Sequence, residues 1–148
     1  MTEPNDDHSK LPESLAAGLV AARDAAPALA RLSPEQTAAI LQRLADRATE
    51  ASDTLIAANR LDLARMDPSD PKYDRLLLDE ARLSAIAEDL RNVSRLPAPQ
   101  GEILETRTLD NGLQLEKVRV PVGVIAVIFE SRPNVTFDVF ALCLRSGN

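Results

Sequence analysis

The reading of the fold turns on Val122-Gly123-Val124-Ile125-Ala126-Val127-Ile128-Phe129. This stretch is apolar without alternation. A strand covered by helices on both faces reads this way, usually as the first strand of a parallel sheet. Glu130-Ser131-Arg132-Pro133-Asn134 then makes a polar turn. Val135, Val139 and Leu142 mark one face of a short helix that Gly147 closes as a left-handed cap. Strand, turn and helix are half of a βαβ unit, and the returning parallel strand is expected next. The chain stops at Asn148. A buried strand without a neighbour leaves backbone donors and acceptors unpaired away from water. The pattern therefore predicts a chain cut off inside a larger α/β domain.

Just upstream, the apolar period is 2. Residues 103–109 (Ile-Leu-Glu-Thr-Arg-Thr-Leu) face residues 113–120 (Leu-Gln-Leu-Glu-Lys-Val-Arg-Val) across Asp110-Asn111-Gly112. Asn-Gly tolerates positive φ at both positions, as a two-residue type I′ turn demands, so a β-hairpin is predicted, ended by Pro121. Before Gly101 the composition changes. Of 22 Ala residues, 20 lie there, whereas 7 of the 9 Val residues follow it. Ala favours helices and β-branched residues favour strands.

The spacing of Leu15, Leu19, Ala22, Ala26 and Leu29 predicts a first helix over 12–30, kinked or stopped early at Pro27. Ser33-Pro34-Glu35-Gln36 reads as a capping box, followed by a buried face of Ile40, Leu41, Leu44, Ala45 and Ala48. A helix from Ser52 to Met66 comes next, and then a loop with Pro68 and Pro71. Asp79 caps a long helix with the stripe Leu83, Ile86, Ala87, Leu90 and Val93, which Pro97 and Pro99 stop.

Composition narrows the function classes. The chain has 148 residues, 45% apolar, a length that suits one domain of roughly 100–200 residues. Lys and Arg number 17 against 23 Asp and Glu, for a net charge of −6. Nucleic-acid and anionic-membrane surfaces need the opposite balance, so neither is expected as a partner. A single Cys forms no internal disulfide and a single His no multi-His metal site, so no metal centre is expected. Residues 1–10 are polar and acidic, unlike a signal peptide, and are expected to be flexible. A soluble, cytoplasmic protein is the expectation. His8, in that tail, and Cys143, between Leu142 and Leu144, read as chemically idle. Asn134-Val135-Thr136 matches the N-glycosylation pattern, which in a cytoplasmic protein is coincidence.

One segment points to chemistry. In open α/β sheets, ligands bind beyond the carboxyl ends of the strands. Glu130 to Asn134 occupies that place and leads into a helix N-terminus whose free N–H groups favour an anion. Two readings stand. In one, Arg132 meets a phosphate or carboxylate and Asn134 donates an amide hydrogen bond. In the other, Asn134 caps the helix and Arg132 makes a surface ion pair.

The run from Leu113 to Ile125, Glu130-Ser131-Arg132-Pro133-Asn134-Val135-Thr136, and Leu142-Cys143-Leu144-Arg145-Ser146-Gly147-Asn148 resemble the gamma-glutamyl phosphate reductase (glutamate-5-semialdehyde dehydrogenase) family of the aldehyde dehydrogenase superfamily. The likeness reaches back through the helix Ala81 to Leu96, Asp74-Arg75-Leu76 and Ala58-Asn59 to about Leu15. It implies the N-terminal part of an aldehyde-dehydrogenase-like α/β fold: Ala-rich helices, a β-hairpin, then the first strand and helix of a Rossmann-like parallel sheet. The implied division is a flexible segment 1–10, a helical part of the cofactor-binding domain over 11–100, a hairpin oligomerisation arm over 101–120, and the start of the Rossmann-like unit over 121–148.

The implied activity is reduction of L-glutamyl 5-phosphate to glutamate 5-semialdehyde by NADPH in cytoplasmic proline biosynthesis, by a homo-oligomer. In that family a Cys thiolate attacks the acyl phosphate and hydride reduces the thioester. The resemblance places that Cys in a motif downstream of Asn148, so this chain alone is expected to be inactive. By the same resemblance Glu130, Ser131, Arg132, Pro133 and Asn134 line the cofactor, with Asn134 as an oxyanion donor. Ala126 and Phe129 stand where the family commonly has Gly and Tyr, and Arg145 where it has Lys. Two other readings compete: a non-catalytic helical interaction module, and an aldehyde dehydrogenase relative with another substrate.

Overall fold

The structure, a computed structural model, describes residues 13–130 and 132–148. Six helices and one hairpin are described: α1 (Glu13–Leu29), α2 (Pro34–Glu50), α3 (Ser52–Leu63), α4 (Tyr73–Leu76), α5 (Glu80–Arg95), β1 (Ile103–Thr108), β2 (Gln114–Val118) and α6 (Pro133–Arg145). The expected flexible tail and His8 lie outside the described residues.

The core is built where α2, α5 and α6 meet. Leu41 and Ala45 of α2, Leu83, Ile86, Ala87 and Leu90 of α5, and Ala141 and Leu144 of α6 are buried together, with Leu78 beside them. Helices α2 and α5 start as their sequences dictate. Ser33 Oγ accepts from Gln36 N while the Gln36 side chain accepts from Ser33 N, which closes the capping box. Asp79 accepts from Arg82 N at the head of α5. Such caps contribute about 1 kcal/mol each by satisfying N–H groups that have no helical partner.

Several expectations need correction. Ile40 is exposed rather than buried, because the face of α2 that meets α5 is centred on Leu41 and Ala45. The stripe on α1 is not buried either: Leu15, Leu19 and Val20 face water, and only the helix's C-terminal end reaches the core, through Leu29. Pro27 sits in the last turn of α1, where the helix ends two residues later. On α6 the buried side chains are Ala141 and Leu144, with Phe137 packed against the core, and Leu142 is exposed. The face predicted from Val135, Val139 and Leu142 is thus rotated from the real one. Helix α4 was not foreseen, since one turn is too short to show a period.

The hairpin is antiparallel, with Thr108 opposite Gln114 and Arg107 opposite Leu115. Its turn differs from the expected two-residue type I′. Leu109 N donates to Leu113 O and Gly112 N to Leu109 O, which leaves Asp110, Asn111 and Gly112 as a three-residue loop with Gly112 at φ +83°. Gly112 supplies the left-handed residue such loops need. Asn111 instead accepts Leu113 N on its side chain.

The largest correction concerns residues 122–129. They form no strand, and the described residues contain no sheet beyond β1–β2. The apolar side chains there are exposed, Ile128 completely and Val122 at 86%. A strand requires a second strand to hydrogen-bond, and among the described residues none pairs with this segment. The segment is tied down at its start, where Gly123 N donates to Asn148 Oδ1 at 2.8 Å. Asn148 belongs to the cap of α6: its N–H reaches Cys143 O, and Gly147 N reaches Leu144 O, the paired bonds of a Schellman motif. Gly147 has φ +78°, the left-handed conformation that favours glycine, and a Cβ there would lie 2.9 Å from the Pro121 ring and would push the Gln100 side chain aside.

Candidate functional site

The turn after residue 129 lies against α4 and α5. Glu130 Oε1 accepts from Lys72 Nζ at 2.7 Å, which fastens the turn to the segment that enters α4. That hydrogen bond and the Lys72 charge hold the Glu130 carboxyl below its ordinary pKa, with smaller help from Arg75 and Arg132. The same hydrogen bond and carboxylate raise Lys72 above its ordinary value. Both groups are roughly half exposed, so water screens the pair and its worth to stability is small.

Arg132 occupies the N-cap position of α6, and Pro133 follows at the first helical position. Arg132 makes no side-chain capping bond to this N-terminus. Asn134 is therefore not the cap. It lies exposed inside the first turn, and its Nδ2 donates to Asp138 Oδ2 at 3.2 Å. A carboxamide has two N–H donors, so one is left over. Ser131 lies outside the described residues. Cys143 is partly buried in the last turn of the same helix and does not line the cleft described next.

A cleft of about 410 Å³ opens between α4, the first half of α5 and the head of α6. Asp74, Arg75, Arg82, Asp89, Arg132 and Asn134 give it its polar groups, while Leu78 and Ile86 give it an apolar floor. Arg82 is committed to the structure: it donates to Asp74 Oδ1 at 2.6 Å, to Leu77 O at 2.9 Å and to Asp74 O. That fork fixes the path of the chain from α4 into α5. Asn59 of α3 does the same from the other side, donating to Leu76 O and accepting from Leu78 N, each at 2.8 Å.

The structure thus brings Arg132, Pro133 and Asn134 to one cleft wall, with Glu130 held beside it by Lys72. Reading the turn alone missed Arg75, Arg82 and Asp89. Their positions depend on α4 and on the packing of α5 beside α6, for which no spacing rule exists.

No protein-family model matches the chain. Its relatives are clear nonetheless. It is 57% identical over 136 residues to gamma-glutamyl phosphate reductase of Chlorobaculum parvum, covering 92% of this chain and 32% of that protein. The enzyme of the same name from Parabacteroides distasonis is 53% identical over 127 residues, 86% of this chain and 31% of its own. Over the part it spans, the chain is a homologue of gamma-glutamyl phosphate reductases. Solved structures agree. The Thermotoga maritima gamma-glutamyl phosphate reductase matches with a TM-score of 0.86 at 30% identity, over 90% of this chain and 33% of that one. The Saccharomyces cerevisiae gamma-glutamyl phosphate reductase gives 0.82 at 33% identity, over 95% and 36%. The chain therefore spans about a third of the length of the reductases it matches. Exposure of residues 122–129 corrects their expected burial and leaves this kinship untouched, since the two rest on separate observations.

Proposed function

We propose that the chain is a portion of an enzyme that reduces L-glutamyl 5-phosphate to glutamate 5-semialdehyde with NADPH, releasing phosphate, in proline biosynthesis in the cytoplasm. The observation that carries this is the 57% identity to a gamma-glutamyl phosphate reductase across nearly the whole chain. On this reading residues 11–100 are the helical part of the cofactor-binding domain, 101–120 an arm for homo-oligomer assembly, and 121–148 the opening of the Rossmann-like unit. The nucleophilic Cys belongs to a part of the family's length that this chain does not span, and the 148 residues alone are inactive.

The donor set suits a phosphate-bearing cofactor. The Arg132 guanidinium and the Asn134 backbone N–H at the head of α6 offer donors to an anion, and the cleft's volume falls in the roughly 300–1,000 Å³ range of small-molecule pockets. Glu130, Ser131, Arg132, Pro133 and Asn134 are the residues that would line the cofactor, which supplies hydride when bound. Lys72 positions the turn through Glu130. Asn134 has an N–H free of Asp138 to donate to oxygen charge that develops at the acyl carbon.

The reaction run backwards gives the test. In the full-length protein, NADP reduction by glutamate 5-semialdehyde should require inorganic phosphate, and Asn134→Ala should lower kcat by about 100- to 1,000-fold. Phosphate-independent turnover of simple aldehydes, with no preference for the semialdehyde, would instead establish a relative with another substrate.

A further inference from the structure

The cleft holds two guanidinium groups that the fold engages only at a distance, through the carboxylate of Glu130, which Lys72 already pairs. Arg82 is saturated by Asp74 and two carbonyls. Arg75, one residue past Asp74 on α4, and Arg132, at the head of α6, have no side-chain hydrogen bond or ion pair among the described residues, and both line the cleft. They also share a smaller depression with Lys72 and Glu130, which places them on the same side of the cleft. The one carboxylate on the wall left without a cationic partner among the described residues is Asp89. In a chain of net charge −6, this is a local surplus of positive charge beside a helix N-terminus. Arginine forks match the paired oxygens of carboxylates and phosphates, and a cleft lets two of them converge on one group.

We propose that Arg75 and Arg132 together grip one oxyanion of a small substrate, a carboxylate or a phosphate, and that Arg75 decides which anions the cleft accepts. The function proposed above had reached Arg132 through its place after residues 122–129; Arg75 enters only through the folded position of α4. The inference rests on the reductase reading for the identity of the substrate. Binding itself is read without turnover, so the two fail separately.

The experiment titrates the 148-residue chain with inorganic phosphate, and separately with glutarate, at ionic strength held constant with sodium chloride. Nitrogen-15 NMR follows Arg75 Nε, Arg132 Nε and the amides of Asn134 and Val135. Saturable shifts at these sites are expected, weakened at least tenfold by Arg75→Gln and unchanged by Arg60→Gln, which alters an exposed arginine on α3 away from the cleft. Saturation by phosphate alone identifies the group as phosphate, and by glutarate alone as carboxylate. Shifts that stay linear for both anions, or that persist equally in a folded Arg75→Gln chain, overturn the proposal. Anion binding in a protein whose full-length form fails the semialdehyde assay would overturn the reductase reading and leave this one standing.

Discussion

Asn59 is buried on α3 with both ends of its carboxamide in use, one on Leu76 O and one on Leu78 N. It thereby holds the segment that carries Asp74 and Arg75 into the cleft wall. Asn59→Ala should cost about 1–3 kcal/mol, because it strands a carbonyl and an N–H that the fold shields from water. Urea unfolding followed by circular dichroism measures this. Asn59→Asp should also destabilise, since a carboxylate still accepts from Leu78 N but has nothing to donate to Leu76 O. At this scale the sequence was legible wherever partners are neighbours: Ser33 with Gln36, Asp79 with Arg82, Gly147 with Leu144. Asn59 bonds across 17 and 19 residues. Nothing in the local pattern distinguishes it from a solvated asparagine.

At the scale of elements, apolar content and burial come apart. Residues 122–129 are as apolar as any strand interior, yet in this chain they lie in water with no ladder to join. Hydrogen exchange on the 148-residue chain should show amides 124–129 exchanging at close to unprotected rates, while Leu83 to Leu90 on α5 exchange slowly. Gly123 should stand apart through its bond to Asn148. Slow exchange across 124–129 would contradict the exposed arrangement. Composition reports what a segment can bury, whereas the neighbour that buries it is a property of tertiary structure. The hairpin fared better, because its partner strand lies across a three-residue loop and the alternation of both strands is local.

Across the whole molecule, one side chain ties three helices. Arg145, in the last turn of α6, donates to Leu96 O just past α5 and to Pro34 O and Thr37 Oγ1 at the head of α2. Thr37 Oγ1 in turn donates to Pro34 O. The planar fork of arginine serves all three acceptors at once, and an ammonium group does not reproduce that geometry. Arg145→Lys should therefore lose about 1–3 kcal/mol of unfolding free energy. Arg23→Lys, at an exposed pair on α1, should change it by no more than about 0.5 kcal/mol. Equal effects at the two sites would deny Arg145 its role in joining the helices.

The sequence by itself determined the helical first two-thirds, the caps, the hairpin and the kinship to gamma-glutamyl phosphate reductases, because each is written in residues close together or in identities matched one by one. Only the folded chain decided which faces are buried, that residues 122–129 stay wet, and that Arg75 meets Arg132 at one cleft. Those outcomes depend on how α2, α4, α5 and α6 pack against one another. Packing is set by contacts between residues far apart in the chain, and no local period records them.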